Sequence, residues 1–278
     1  MRILSCPIFF IISCISASAF AEFESGVYGT LSLGANWGFA DWDGISSIDA
    51  VNDTGDALAI FESWTPNGAT SDDAKFMGNV GLGYQLVDGP LYLGAQISGT
   101  FSDKRSFAAN ETHHYLIKAE ERQVASIDGT SNTQTQVSLS DTELDFDLKP
   151  GYIFADNFLV YARIGVAFTQ LDMNSAGVWT AVGTTYAPGF IQNTNQASDA
   201  NRTSKDVAGF RAGLGAEYLL SEHIGLSLDY IFTDYGDISM TISGEDSDAF
   251  SGNHVAGIHS PTVGVTTHAV LLGITVHQ

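Results

Sequence analysis

The sequence predicts an all-β fold: an eight-stranded antiparallel up-and-down transmembrane β-barrel with four long extracellular loops and three short periplasmic turns. Three observations carry this expectation. Apolar residues recur at every second place in eight separate stretches, and about ten such residues suffice for a strand to cross a bilayer. The gaps between the stretches alternate strictly between long and short. No segment reaches the roughly 18 consecutive apolar residues of a membrane helix.

The elements follow in order. In Val27–Trp37, Val27, Leu31, Leu33, Ala35 and Trp37 share one face, opposite Tyr28, Thr30, Ser32 and Asn36. In 76–86, Val80, Leu82, Tyr84 and Leu86 oppose Asn79, Gly81, Gly83 and Gln85. Asp88-Gly89-Pro90 supplies tight-turn chemistry. The third stretch, 91–101, sets Leu91, Leu93, Ala95, Ile97 and Phe101 against Tyr92, Gln96 and Ser98. The fourth, 142–154, sets Leu144, Phe146, Leu148, Tyr152 and Phe154 against Glu143, Asp145, Asp147 and Lys149.

After the turn Ala155-Asp156-Asn157, stretch 158–170 sets Val160, Ala162, Ile164, Val166 and Phe168 opposite Tyr161, Arg163 and Gly165. Stretch 207–219 sets Phe210, Ala212, Leu214 and Tyr218 opposite Arg211, Gly213, Gly215 and Glu217. Ser221-Glu222-His223 turns the chain into 224–233, where Ile224, Leu226, Leu228, Tyr230 and Phe232 oppose Ser227, Asp229 and Thr233. The eighth stretch carries Val270, Leu272, Ile274 and Val276. A barrel in hydrocarbon has to pair every strand edge. This last stretch is therefore expected to zip against the first, Ala269–Val276 along Tyr28–Trp37.

The gaps give the orientation. Outer-membrane barrels keep short turns on the periplasmic side and long loops outside. Here 87–90, 155–157 and 221–223 are short, whereas 38–74, 103–141, 172–206 and 236–266 are long. A ten-strand count is the alternative, with Val178–Tyr186 adding a hairpin within the third loop.

Residues 1–21 have the form of a secretory signal: Arg2, an apolar run over Ile3–Ile15, and Ala19-Phe20-Ala21 before Glu22. A lipoprotein anchor at Cys14 is the competing reading. Cleavage after Ala21 removes Cys6 and Cys14, the only cysteines, and leaves 22–278 as the barrel domain without disulfide or thiolate chemistry. The net charge of −21 excludes nucleic acid, which needs a basic footprint. A 44% hydrophobic content excludes a disordered acidic chain.

Gly151-Tyr152 before a short turn, the return strand Tyr161-Ala162-Arg163-Ile164-Gly165 and the ending Val270-Leu271-Leu272-Gly273-Ile274 resemble the small eight-stranded outer-membrane barrels of the opacity-protein and OmpA-transmembrane-domain group. The resemblance covers residues 26–278 and implies a monomer bedded in outer-membrane lipid and lipopolysaccharide. It also implies a terminal aromatic residue, where this chain has Gln278.

With the apolar parity facing lipid, Glu143, Asp145, Asp147, Lys149, Arg163, Arg211, Glu217 and Asp229 point inward, with Asn79, Gln85 and Gln96. An eight-stranded barrel is just wide enough for side chains to fill it. These residues are expected to form a lumen charge network that plugs the barrel. The runner-up reading is a narrow porin-like channel for small solutes.

Loops this long point to function. The first, 38–74, holds Asp41, Asp43, Asp49, Asp53, Asp56, Glu62, Asp72 and Asp73 and neither Lys nor Arg. Asp41-Trp42-Asp43-Gly44 opens like a calcium loop but lacks the later carboxylates, so a solvated acidic loop with diffuse divalent-cation association is expected rather than a metal site. His113–Arg122 is expected to form a short surface helix, on which adjacent histidines would not share a face. His254 and His259, five apart, are a poor ligand pair. Asp72, Asp73, His254 and His268 could be assembled into a hydrolase site, but their spacing does not require one. No cofactor is implied. The sequence reads as a non-enzymatic surface protein with a structural or adhesive role toward a host or matrix ligand.

Overall fold

The computed structural model describes residues 22–51, 57–64, 71–118, 125–154, 156–185, 191–247 and 254–278. All regular structure in them is β: β1 (Gly26–Val51), β2 (Ala57–Trp64), β3 (Ser71–Asp88), β4 (Leu91–Ser102), β5 (Arg105–Lys118), β6 (Ala125–Phe154), β7 (Phe158–Thr185), β8 (Ile191–Ser221), β9 (Ile224–Ser239), β10 (Ile242–Ser247) and β11 (His254–His277). Eight of them close a ring in the order β1-β3-β4-β6-β7-β8-β9-β11 and back to β1. Each of the eight alternating stretches lies within one ring strand. The closing pair is in the expected register, with Gly29 opposite Val276 and Asn36 opposite Ala269.

The long loops are corrected. Much of what was expected as loop is strand. β1 and β11 remain paired as far as Val51 and His254, and β7 and β8 as far as Thr185 and Ile191. The ten-strand alternative dissolves for the same reason: 178–185 is the far end of β7, opposite β8, and adds no strand to the ring. β2, β5 and β10 lie off the ring, on β1, β6 and β11. The surface helix is also overturned. Residues 113–118 belong to β5 and pair with Ser126–Ser131 of β6; 119–122 lie outside the described residues.

The physical reason is a reversal of polarity along the strands. On β7 the outward side chains Val160, Ile164, Val166 and Phe168 are exposed and apolar, which suits lipid. Beyond Phe168 the same face carries Gln170, Asp172 and Asn174. The inward face changes in the opposite sense, from buried Tyr161 and Arg163 to buried Leu171, Met173 and Trp179. β1 does the same: Leu31 and Leu33 give way to Asp41 and Asp43 outside, and Thr30, Ser32 and Asn36 to Ala40 and Trp42 inside. The alternation does not stop at the membrane boundary; it inverts into the pattern of a water-soluble sheet with an apolar core.

Two irregularities keep the faces aligned. Between Leu139 and Glu143, β6 has two more residues than β7, an even insertion that leaves inward parity intact. In β9, Tyr235-Gly236 stand against one residue of β11. Gly236 takes φ 68°, the left-handed region that glycine enters without steric cost, and accepts the bulge geometry. The odd insertion shifts inward parity so that Ile238 and Met240 point into the core.

Candidate functional site

The inward row of charged side chains is the candidate site. β6 supplies Glu143, Asp145, Asp147 and Lys149, β7 supplies Arg163, β8 supplies Arg211 and Glu217, and β9 supplies Asp229. All are buried except Glu143, which is half-buried at the rim of the layer. Five acidic side chains thus face three basic ones, Lys149, Arg163 and Arg211, in one narrow interior.

The structure brings most of them into two linked clusters. Arg211 Nη1 is 3.0 Å from Glu143 Oε1 and in direct contact with Asp145, and its Nε lies 3.6 Å from Asp147. Arg163 bridges Asp147 at 3.2 Å and Asp229 at 3.1 Å. Asp147 therefore joins the clusters. Glycines between strands make room for them. Gly165 stands in register between Asp147 and Arg211, and a Cβ there would fall 2.4 Å from Asp147 Oδ1. Gly215 has the same role between Tyr161 and Asp229.

Neutral hydroxyl donors add hydrogen bonds to three of the carboxylates, which offsets part of the cost of burying charge. The hydroxyls of Thr100 and Ser98 donate to Asp145 Oδ2 at 2.8 and 3.3 Å. Tyr161 donates to Asp229 at 2.8 Å, and Tyr235 donates to Glu143.

Two of the eight residues stand apart from these clusters. Glu217 pairs with His277, whose Nε2 lies 2.7 Å from Glu217 Oε1. Lys149 has its ammonium over the rings of Tyr28 and Tyr161, at 5.4 and 5.1 Å from their centroids, a cation–π arrangement. His277, Tyr235 and the two tyrosine platforms did not emerge from charge counting. Inward parity alone could have found them.

Buried apolar clusters flank the charged layer on both sides. At the turn end, Phe23 packs with Tyr92, Ile153, Leu159, Tyr161 and Leu219, its ring edge-on to Tyr92 and to His277. At the loop end, Trp42, Phe107, Leu171, Met173, Trp179 and Val263 belong to one buried cluster. Trp179 is fully buried. It spans the interior from β7 to β10, because Gly177 and Gly244 leave space: a Cβ at either would lie 2.6 or 2.7 Å from its ring. Between the ion pairs and this cluster lies a cavity of about 30 Å³ lined in part by Asn36, Arg105, Glu143 and Arg211, room for one or two waters. Arg105 seals its flank by donating to the backbone carbonyl of Asn36 at 2.6 Å and to the Asn36 side chain.

The residues considered for hydrolysis are not brought together. His268 sits on the outer surface among Trp37, Phe39, Tyr230 and Phe232, with its Nδ1 2.7 Å from the Tyr230 hydroxyl. Asp73 is exposed on β3, while the side chains of Asp72 and His254 lie outside the described residues. His259 is buried, 3.5 Å from Thr135 Oγ1. Of the acidic first loop, Asp41, Asp43 and Asp73 are exposed; the side chains of Asp49, Asp53, Asp56, Glu62 and Asp72 lie outside the described residues.

A closed ring of eight antiparallel strands, apolar outside and charged within over one band, defines a transmembrane β-barrel. The chain belongs to the family of outer membrane protein beta-barrel domains, which it matches over residues 8–258, and the outer membrane is accordingly its place. It is similar to several solved structures at low identity. OprG from Pseudomonas aeruginosa aligns with TM-score 0.36 and 13% identity, over 94% of this chain and 100% of that one. Ail of Yersinia pestis, in complex with the heparin analogue sucrose octasulfate, aligns with TM-score 0.32 and 9% identity, over 87% and 99%. Neisserial surface protein A aligns with TM-score 0.30 and 9% identity, over 92% and 100%. No curated protein matches the chain in sequence.

Proposed function

We propose that this is a non-catalytic surface protein of the outer membrane whose lumen is plugged and whose work, structural and adhesive, is done by its exterior at the loop end. The observation that carries the reading is the filling of the lumen at three levels: the Phe23 cluster, the Arg163 and Arg211 ion pairs, and the apolar cluster around Trp179. A solute would have to displace all three. The polar outward face beyond the apolar belt remains as the working surface.

The same reading takes residues 1–21 as an export signal and the long-hairpin end as the outside. Its partners are outer-membrane lipid and lipopolysaccharide, divalent cations held diffusely by the acidic exterior, and a host or matrix ligand; the protein acts as a monomer. Single-channel recording of refolded residues 22–278 in planar bilayers tests the plug: silence is expected, and large, stable openings would overturn it. Whole-cell binding with the single β7–β8 hairpin between Phe168 and Phe210 shortened tests the adhesive role, and undiminished attachment would remove it.

A further inference from the structure

Across β6, β7 and β8 the outward face carries a groove of about 330 Å³. Gln134 and Gln136 come from β6, Asn174 from β7, and Asn201 and Arg202 from β8; Ala176 and Ala200, paired across β7 and β8, line it without filling it. Its register is continuous: Gln136 faces Asn174, and Asn174 faces Arg202. In a chain of net charge −21, this lining includes no carboxylate. Arg202 is oriented from outside the lining by Asp172, 3.3 Å from its Nη2, which leaves other guanidinium N–H groups for a ligand.

We propose that this groove binds an uncharged, hydroxyl-rich sugar chain. A side-chain amide presents two donors and an acceptor side by side, and guanidinium presents a fixed fork of donors. Both match vicinal hydroxyls, which donate and accept in turn. A peptide strand is a poor occupant, because the groove lies mid-sheet, where each backbone edge is already paired, and strand addition needs a free edge. A sulfated chain is disfavoured by the acidic protein around a single arginine. The height also fits. Asn174 lies six residues beyond Phe168 on β7, about 20 Å along the strand at ~3.3 Å per residue. The groove is thus well clear of the apolar belt.

The proposal rests on the reading that the loop end faces outward. Two sources share the chemistry: the sugars of surrounding lipopolysaccharide and a foreign neutral glycan. Residues 22–278, refolded in detergent, are titrated with a neutral hexose oligosaccharide from the lipopolysaccharide outer core, with a dextran oligosaccharide and with a heparin oligosaccharide. Binding of core or dextran is expected, and whichever binds assigns the source. Gln136→Ala and Asn174→Ala should each weaken it about fivefold, the worth of a lost hydrogen bond. Ala176→Trp and Ala200→Trp, both checked for folded gel mobility, should abolish it by filling the groove.

Binding of heparin alone, of none of the three, or full binding by either folded tryptophan variant would overturn the proposal. The adhesive reading fails separately. Core binding by a protein whose cells do not attach leaves the sugar site standing, and attachment that survives Ala176→Trp leaves adhesion standing without it.

Discussion

Arg163 and Asp147 lie 3.2 Å apart in the centre of the lumen, both buried, and the arginine's other terminal nitrogen is 3.1 Å from Asp229. Arg163 therefore bridges two carboxylates carried by different strands, Asp147 on β6 and Asp229 on β9. Truncating one member of a buried pair strands its partner, which typically costs about 3–5 kcal/mol.

Arg163→Ala is accordingly expected to lose about 3–5 kcal/mol in urea unfolding of the detergent-refolded barrel. Adding Asp229→Asn should recover part of that loss, because it removes one stranded charge. A cost within about 1 kcal/mol, the range of an exposed pair, would mean that the pair is hydrated and the lumen open.

The apolar stoppers are expected to act independently of one another, being at opposite ends. Trp179→Ala should destabilise by about 3–5 kcal/mol as a buried aromatic truncation. Phe23→Ala should have its effect at the turn end, on the packing of Tyr92 and His277. The double variant should lose the sum within about 0.5 kcal/mol. Strong non-additivity in the same unfolding assay would show that the two ends communicate through the ion-pair layer.

How much of this was legible in the sequence follows from what alternation can encode. Leu144, Phe146 and Leu148 against Glu143, Asp145 and Asp147 announce a strand with lipid on one side, and parity alone assigns the buried row. The upper strands were hidden by the inversion at Phe168 and its counterparts. Leu171 and Met173 continue the alternation on the other parity, so a search for outward apolar residues ends where the strand does not. Partner choice was also illegible. Nothing in the chain order says that Glu217 meets His277, or that Lys149 rests on Tyr28 and Tyr161. Those depend on stagger between strands, which the closed ring sets.

Asp172 gives a pH test above the membrane. The Ser204 hydroxyl, 2.7 Å away, holds its carboxyl below the ordinary carboxylate value; burial opposes it, and the charges of Arg202 and Lys104 add to the lowering. A depressed value in the folded state adds stability that is present above the unfolded carboxylate range and is lost as pH falls through the folded value. A carbon-13 titration should find the Asp172 midpoint below that of model aspartate. Ser204→Ala should raise it, and an unchanged midpoint would remove the hydroxyl from the account.

The polarity inversion makes the last prediction, on a single face of a single strand. Leu31 and Asp41 both point outward from β1, Leu31 within the apolar band and Asp41 beyond it. A lysine on the lipid face costs about 2–4 kcal/mol at the midplane and roughly 0–1 near the interface, whereas an exposed polar substitution usually stays within about 0.5 kcal/mol. Leu31→Lys should therefore fold poorly into lipid vesicles and unfold at lower urea, while Asp41→Lys should match the parent in both assays. If the whole length of β1 were bedded in lipid, the parent would already carry the cost of Asp41 and Asp43, and neutral Asp41→Leu would stabilise it. If only the lower part is bedded, as the reversal on β1 and β7 requires, Asp41→Leu brings no gain in vesicle folding and exposes one more apolar side chain to water.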